Sequence, residues 1–159
     1  MMRVLFVCLG NICRSPTAEG VFRRRLEERG LAGRVEVDSC GIGAWHVGKA
    51  PDPRAMEAAA RRGVDLSALR ARQLADGDFA RFDYLLAMDH DNLAAIEARR
   101  PAECEAHVGL FLAFAGYHGR AVPDPYFGGE SGFEEVLDLV EAAAGGLIAE
   151  LEARLEPSS

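Results

Sequence analysis

RVLFVCLGNICRSP, Arg3 to Pro16, is the stretch from which the fold can be read. Arg3 to Cys8 is a short, continuous apolar and β-branched run, of the kind that fills a strand buried on both faces. Gly10-Asn11 marks a turn. Ser15-Pro16 then supplies a helix N-cap followed by proline at the first helical position, and Ala18, Val21, Phe22 and Leu26 follow at helical spacing as far as Gly30. Strand, glycine-containing loop and helix thus succeed one another within thirty residues.

The rest of the chain repeats that alternation. Val35 to Ser39, Tyr84 to Met88 and Val108 to Leu112 are candidate strands. Asp52-Pro53 opens a second helix that Gly63 stops, and Asp89 or Asp91 caps a third through Leu93 and Ile96 to Pro101. Residues 64 to 81 are ambiguous, with a short helical turn near Asp78. Ser131 and Glu134 form a capping box for a tail helix whose stripe runs from Phe133 to Leu155. Gly145-Gly146 interrupts it and predicts a close contact or a bend. The pattern predicts an α/β fold, a parallel sheet with helices on both faces in one domain spanning residues 1–159. In such sheets ligands bind beyond the carboxyl ends of the strands, which points to the loop after the first strand.

Composition narrows the function. With 159 residues, 49% apolar, the chain is long enough for one substantial core. A net charge of −7 argues against nucleic acid or an anionic membrane as the main partner. The charge is uneven, however: residues 1–75 carry 13 basic and 8 acidic groups, residues 76–159 carry 5 and 17, so an anionic ligand fits the first half. No apolar run is long enough for a membrane span, and Val4 to Leu9 is too short for a signal-peptide core, so a cytoplasmic protein is expected. Its four cysteines, Cys8, Cys13, Cys40 and Cys104, are then expected to be reduced. Neither paired cysteines nor i, i+4 histidines suggest a metal site.

The chemistry centres on Cys8. A loop of this length, tightened by Gly10 and by Asn11, can turn its N–H groups inward as an anion nest, and the following helix adds its positive end. That environment favours a thiolate at Cys8 and would hold three phosphoryl oxygens above the sulfur. Arg14 completes the cradle with a planar fork for two equatorial oxygens, and Ser15 can donate to the sulfur besides capping the helix. Attack on a phosphate monoester requires an acid for the leaving oxygen, and Asp124 in Val122-Pro123-Asp124-Pro125-Tyr126-Phe127 is the candidate. It could afterwards deprotonate water, with the aromatic pair as a wall for a flat leaving group. Singly, each residue has an ordinary structural explanation; the ordered set is what argues for catalysis.

With these residues in hand, the sequence resembles the low-molecular-weight protein tyrosine phosphatase family along almost its whole length. The resemblance rests on VCLGNICRS (Val7 to Ser15), DSCG (Asp38 to Gly41), WHVG (Trp45 to Gly48), PDPR (Pro51 to Arg54), ARQ (Ala71 to Gln73), FDYLLAMD (Phe82 to Asp89) and DPYF (Asp124 to Phe127). It implies a three-layer sandwich around a four-stranded parallel sheet, hydrolysis of phosphotyrosine and aryl phosphates through a phosphocysteine, and no cofactor or metal. By it Cys8 is the nucleophile, Arg14 the phosphate-binding arginine and Asp124 the general acid. Leu9, Gly10, Asn11, Ile12, Cys13 and Ser15 form the phosphate-binding loop, and Trp45 and Tyr126 wall the substrate cleft. Cys13 matches the family's second loop cysteine, which could pair with Cys8 and would then need a thiol reductant; it could equally be a small packing residue. Many members carry a histidine two residues before the Ala71-Arg72 pair where this chain has Leu69, so loop rigidity should be arranged differently here.

Three other readings compete. Arsenate reductases share the scaffold but relay a disulfide through cysteines near the third strand, where this chain has Ala87-Met88-Asp89. Protein-arginine phosphatases carry a threonine at the position of Ile12. A catalytically silent phosphoprotein binder would be expected to have lost Cys8 or Asp124, and both are present.

Overall fold

The computed structural model describes residues 1–125 and 130–155. In chain order the elements are β1 (Met2–Cys8), α1 (Arg14–Glu28), β2 (Val35–Gly41), α2 (Pro53–Arg61), α3 (Asp78–Arg81), β3 (Tyr84–Ala87), α4 (His90–Arg99), β4 (His107–Leu110), a 3-10 turn (Phe111–Ala115) and α5 (Glu130–Leu155). The four strands form one parallel sheet in the order β2-β1-β3-β4. The chain leaves β1 for one neighbour and later returns to its other side. The order therefore reverses beside β1, and the loop after Cys8 lies at that switch point.

Alternation along the strands divides the core. Val4, Phe6, Tyr84 and Leu86 face a cluster completed by α1, α2 and α5. Leu5, Val7, Leu85 and Ala87 face a smaller one completed by Phe79 of α3, Ile96 of α4 and Phe82. Strands buried on both faces read as unbroken apolar runs, which is why β1 and β3 are visible in the sequence. Helices on both faces make the predicted three-layer α/β sandwich. Among the described residues no helix is long and apolar enough to cross a membrane.

Several boundaries differ from expectation. Helix α1 starts at Arg14, so Ser15 is not its N-cap; Pro16 still falls among the first four residues, whose N–H groups have no intrahelical partner. The Ser15 hydroxyl is used elsewhere, as shown below. Strand β4 ends at Leu110 because β3 ends at Ala87, its last partner. Phe111 and Leu112, unpaired, wind into the 3-10 turn and become fully buried, Phe111 edge-on to Phe6 with centroids 4.8 Å apart. The short turn at Asp78 forms as α3. Asp52 and Asp89 cap α2 and α4, accepting from Arg54 N and Asn92 N. Ser131 lies inside α5, which opens at Glu130, and its side chain is outside the described residues.

Helix α5 is continuous through Gly145-Gly146, and the two glycines differ. A Cβ on Gly146 would collide with the Phe114 carbonyl oxygen, whereas nothing lies within 4 Å of one on Gly145. Gly146 is therefore the close contact, the point where α5 passes over the 3-10 turn. Gly146→Ala should destabilise the protein by about 1–3 kcal/mol through overpacking. Gly145→Ala should stabilise it by about 0.5–1 kcal/mol through helix propensity. Urea unfolding of the two variants checks both signs.

Candidate active site

The loop after β1 is pinned from three directions. The extension of β2 bonds its start, Ile42 N to Cys8 O at 2.9 Å and Gly43 N to Leu9 O at 2.9 Å. Gly41 makes this approach possible, since a Cβ there would sit 3.0 Å from Leu9 O. The residue preceding α2 holds the other end, Asp52 N to Ile12 O at 2.8 Å. Between them Asn11 takes a left-handed φ of +59°, and no other non-glycine among the described residues has positive φ. Asparagine tolerates that conformation better than most residues.

This turn aims the Asn11 N–H at Cys8 Sγ, 3.2 Å away. Ser15 Oγ lies 2.9 Å from the same sulfur. The Asn11 side chain is buried behind the loop, with both N–H groups and its oxygen partnered there. Its Nδ2 donates to Ser15 Oγ at 2.8 Å and to Ser39 Oγ at 3.0 Å, and its Oδ1 accepts from Arg72 N at 3.0 Å. The missing histidine at Leu69 is thus answered by backbone: Arg72 N supplies the donor, while Leu69 packs against the core.

Arg14 opens α1 with its guanidinium almost wholly buried. Nη1 donates to Asp89 Oδ2 at 2.7 Å and to the Val122 carbonyl at 3.0 Å. Nη2 faces Asp124, with 3.7 Å to Oδ2. Val122 is itself fastened to the end of β3, its N–H donating to Met88 O at 2.7 Å. The segment bearing Asp124 is thereby held at the same strand ends as Cys8. One edge of the arginine fork is fixed by an anion and a carbonyl, and the other is directed toward the pocket.

That pocket has a volume of about 220 Å³ and is lined by Cys8, Leu9, Gly10, Ile12, Cys13, Arg14, Trp45, His46 and Asp124. Asn11 and Ser15 stand behind it as supports. Trp45 is two-thirds exposed at the mouth, its ring lying over Gly43, where a Cβ would collide with it. Tyr126, the other expected wall, lies outside the described residues. Burial, aided by Asp52, Cys8 and Asp124, pushes the Cys13 thiol up to about 12. It stays neutral at physiological pH and adds no charge beside the anion cradle. Among the described residues no three His, Cys, Asp or Glu side chains are grouped to hold a metal.

Sequence reasoning missed two residues here. Asp89 was read only as a helix cap, although its position just past β3 is where such sheets place ligand groups. His46 packs against the loop, its ring 3.0 Å from where a Gly10 Cβ would stand. His46 reaches the loop only in the folded chain, and no local signal announces it.

Residues 3–156 match the family model for low molecular weight phosphotyrosine protein phosphatase. The chain is 50% identical over 134 residues to the low molecular weight phosphotyrosine protein phosphatase of Schizosaccharomyces pombe, covering 83% of this chain and 85% of that protein. The crystal structure of an Entamoeba histolytica protein tyrosine phosphatase superimposes with a TM-score of 0.92 at 37% identity, covering 97% and 99% of the two chains. A Drosophila arginine phosphatase superimposes with a TM-score of 0.87 at 30% identity, covering 95% and 98%.

Asp89→Asn preserves a cap acceptor for α4 but removes the charge behind Arg14. Activity on a phosphate monoester, as kcat/KM, should fall about 10- to 100-fold, because with its oxygen at the cap the amide turns its NH2 donor toward Arg14 Nη1 and the charge-assisted hydrogen bond is lost. An unchanged kcat/KM would show that Val122 O alone orients the guanidinium.

Proposed function

The chain belongs to the low molecular weight phosphotyrosine protein phosphatase family and is a protein-tyrosine phosphatase, and we propose that residues 1–159 work as one phosphatase domain with Cys8 as nucleophile. One observation carries this assignment: Cys8, Arg14 and Asp124, from two distant parts of the chain, line one pocket together. In the first step the Cys8 thiolate attacks phosphorus. The loop N–H groups and Arg14 hold the equatorial oxygens, and the Asp124 carboxyl gives its proton to the departing phenolic oxygen. In the second step Asp124 takes a proton from water, whose oxygen attacks phosphorus. The P–S bond breaks, its electron pair returning to sulfur, where the Asn11 N–H and the Ser15 hydroxyl stabilise the thiolate.

A dianionic phosphate in the cradle must share the Arg14 Nη2 edge with Asp124. Two negative groups then compete for one edge of the guanidinium. Asp89, behind the guanidinium, keeps Arg14 anchored while that exchange takes place.

The substrate class proposed is a phosphotyrosine-bearing protein or an aryl phosphate, in the cytoplasm, with neither nucleic acid nor membrane as partner. The arginine-phosphatase alternative is favoured by the fold likeness to the Drosophila enzyme, and opposed by the apolar Ile12 in the pocket wall. The arsenate-reductase reading lacks a relay. Cys104 precedes β4, at the end of the sheet opposite Cys8, and Cys40 lies in the core cluster on the other face of the sheet. Cys13 remains the one candidate partner for an oxidised Cys8, and a cellular thiol would then restore the enzyme.

Cys8→Ser should abolish turnover yet still bind inorganic phosphate or vanadate; residual hydrolysis would sink the mechanism. Asp124→Ala should slow phenyl phosphate by about 100- to 10,000-fold and esters of acidic phenols much less. An equal loss on both would remove the acid role from Asp124.

Specificity depends on depth and polarity. A phosphotyrosine ring is long enough to place phosphorus over Cys8 past Trp45, whereas phosphoserine brings its backbone against the walls. A panel of phosphopeptides should therefore show phosphotyrosine favoured over phosphoserine by at least about 100-fold in kcat/KM. Phosphoarginine should also be poor, and Ile12→Thr should narrow its deficit. A wild type that prefers phosphoarginine would transfer the assignment to the alternative.

A further inference from the structure

The loop that carries Trp45 and His46 continues along the edge of the pocket and returns to it. Lys49 N donates to His46 O at 2.9 Å, which closes a turn and brings Lys49 back beside a residue of the pocket wall. Farther along, Asp52 N donates to Ile12 O at 2.8 Å, so residues 46–52 run from one wall of the pocket to another. A second segment is laid against this arc. Gly48 N donates to Ala71 O at 2.8 Å and Ala71 N to Lys49 O at 2.8 Å, which places Arg70, the residue before Ala71, on the same rim as Lys49. Both side chains are exposed.

Most cations of this chain are balanced by carboxylates. Arg3 and Arg81 hold Glu36, Arg62 holds Glu134, Asp138 and Glu141, and Arg72 holds Asp38 and Asp78. Lys49 and Arg70 differ: among the described residues no carboxylate lies within 4.0 Å of either. Arg70 Nη1 donates to the Ser67 and Leu69 carbonyls at 2.8 and 2.6 Å, which orients the guanidinium without neutralising it. The neighbouring acids are engaged elsewhere. Asp52 accepts from Arg54 N, Nε and Nη2, and Asp65 accepts from Ser67 N. Asp89 and Asp124 face Arg14. The rim formed by residues 46–52 and Arg70 is thus cationic and uncompensated.

We infer that Lys49 and Arg70 select substrates in which acidic residues adjoin the phosphotyrosine. The inference rests on the phosphotyrosine reading of the pocket and specifies what surrounds the phosphorylated side chain. With the ring inserted, the residues on either side of it in the peptide lie over the mouth. One or two residues of extended chain span about 3–7 Å, enough to carry a flanking side chain from the pocket onto the neighbouring rim. The whole protein, with a net charge of −7, would by itself repel an acidic peptide. A preference for acidic flanks therefore opposes the overall charge and reports the local cations.

Phosphotyrosine peptides that differ only in carrying Glu or Gln at the two positions before and the two after the phosphotyrosine test it. At low salt kcat/KM should be about five- to tenfold higher for the Glu peptides, the scale of one or two exposed ion pairs. In about 0.5 M NaCl that advantage should shrink below about twofold, because exposed charges are screened. Combining Lys49→Glu with Arg70→Glu should abolish the preference or reverse it. The same variant should turn over 4-nitrophenyl phosphate, which has no flanking residues, within about twofold of the wild type. Should the double reversal fold poorly, Lys49→Gln and Arg70→Gln should each reduce the preference singly. A wild type indifferent to flanking charge, a preference that survives these substitutions, or an equal loss on peptides and on 4-nitrophenyl phosphate would overturn the inference. A wild type that hydrolyses 4-nitrophenyl phosphate but no phosphotyrosine peptide would overturn the phosphotyrosine reading instead.

Discussion

Asn11 is the residue around which the site is assembled. Its left-handed backbone closes the loop after β1, and the same turn aims its N–H at the Cys8 sulfur. Its side chain joins three segments distant in sequence: Ser15 at the start of α1, Ser39 in β2, and the backbone of Arg72. A buried amide with its N–H groups and oxygen left unpartnered would cost several kcal/mol. The three hydrogen bonds fix the amide orientation and so couple the loop to the sheet. The rigidity that an anion cradle needs before its ligand arrives comes from that satisfied network.

Arg14 shows the complementary logic for charge. A guanidinium this deeply buried is tolerated because Asp89 and the Val122 carbonyl hold one edge. The helix dipole at the start of α1 and this guanidinium both direct positive potential into the pocket. The acidic half of the chain then contributes the opposing groups, Asp89 and Asp124, at the ends of the strands rather than within the cradle. The groups proposed to hold phosphate thus lie within one continuous stretch, while the carboxylates that face Arg14 arrive from elsewhere in the sheet.

That division explains what could be read from the sequence. The loop is local, so the turn from Cys8 to Ser15 was legible, as were β1 and β3, whose two buried faces leave unbroken apolar runs. Features decided by meetings between segments were not. Ser15 looks like an N-cap because serine before proline usually is one, but its hydroxyl is captured by Cys8 and Asn11 and α1 begins at Arg14. Asp89 does cap α4 through one oxygen, which conceals the use of the other by Arg14. The two adjacent glycines of α5 are indistinguishable in sequence, yet only Gly146 meets another backbone. The extent of β4 was overread because pairing stops with its partner, whatever the propensity of Phe111 and Leu112.

The walls of the pocket obey a different constraint from its floor. Trp45 rests over Gly43 and His46 against Gly10, so each is seated where a glycine leaves room, on a loop that contributes no hydrogen bond to the sulfur. Such residues can change without disturbing Asn11, Arg14 or Cys8. Fold likeness accordingly says little about the leaving group: an arginine phosphatase and a tyrosine phosphatase superimpose on this chain almost equally well. Every phosphate monoester or phosphoramidate presents the same oxygens to the proposed cradle, which leaves discrimination to the pocket wall formed by Ile12, Trp45 and His46. In the proposed mechanism, holding a dianion over a sulfur falls to backbone and buried polar groups. The choice of substrate is left to exposed side chains whose replacement costs the fold little.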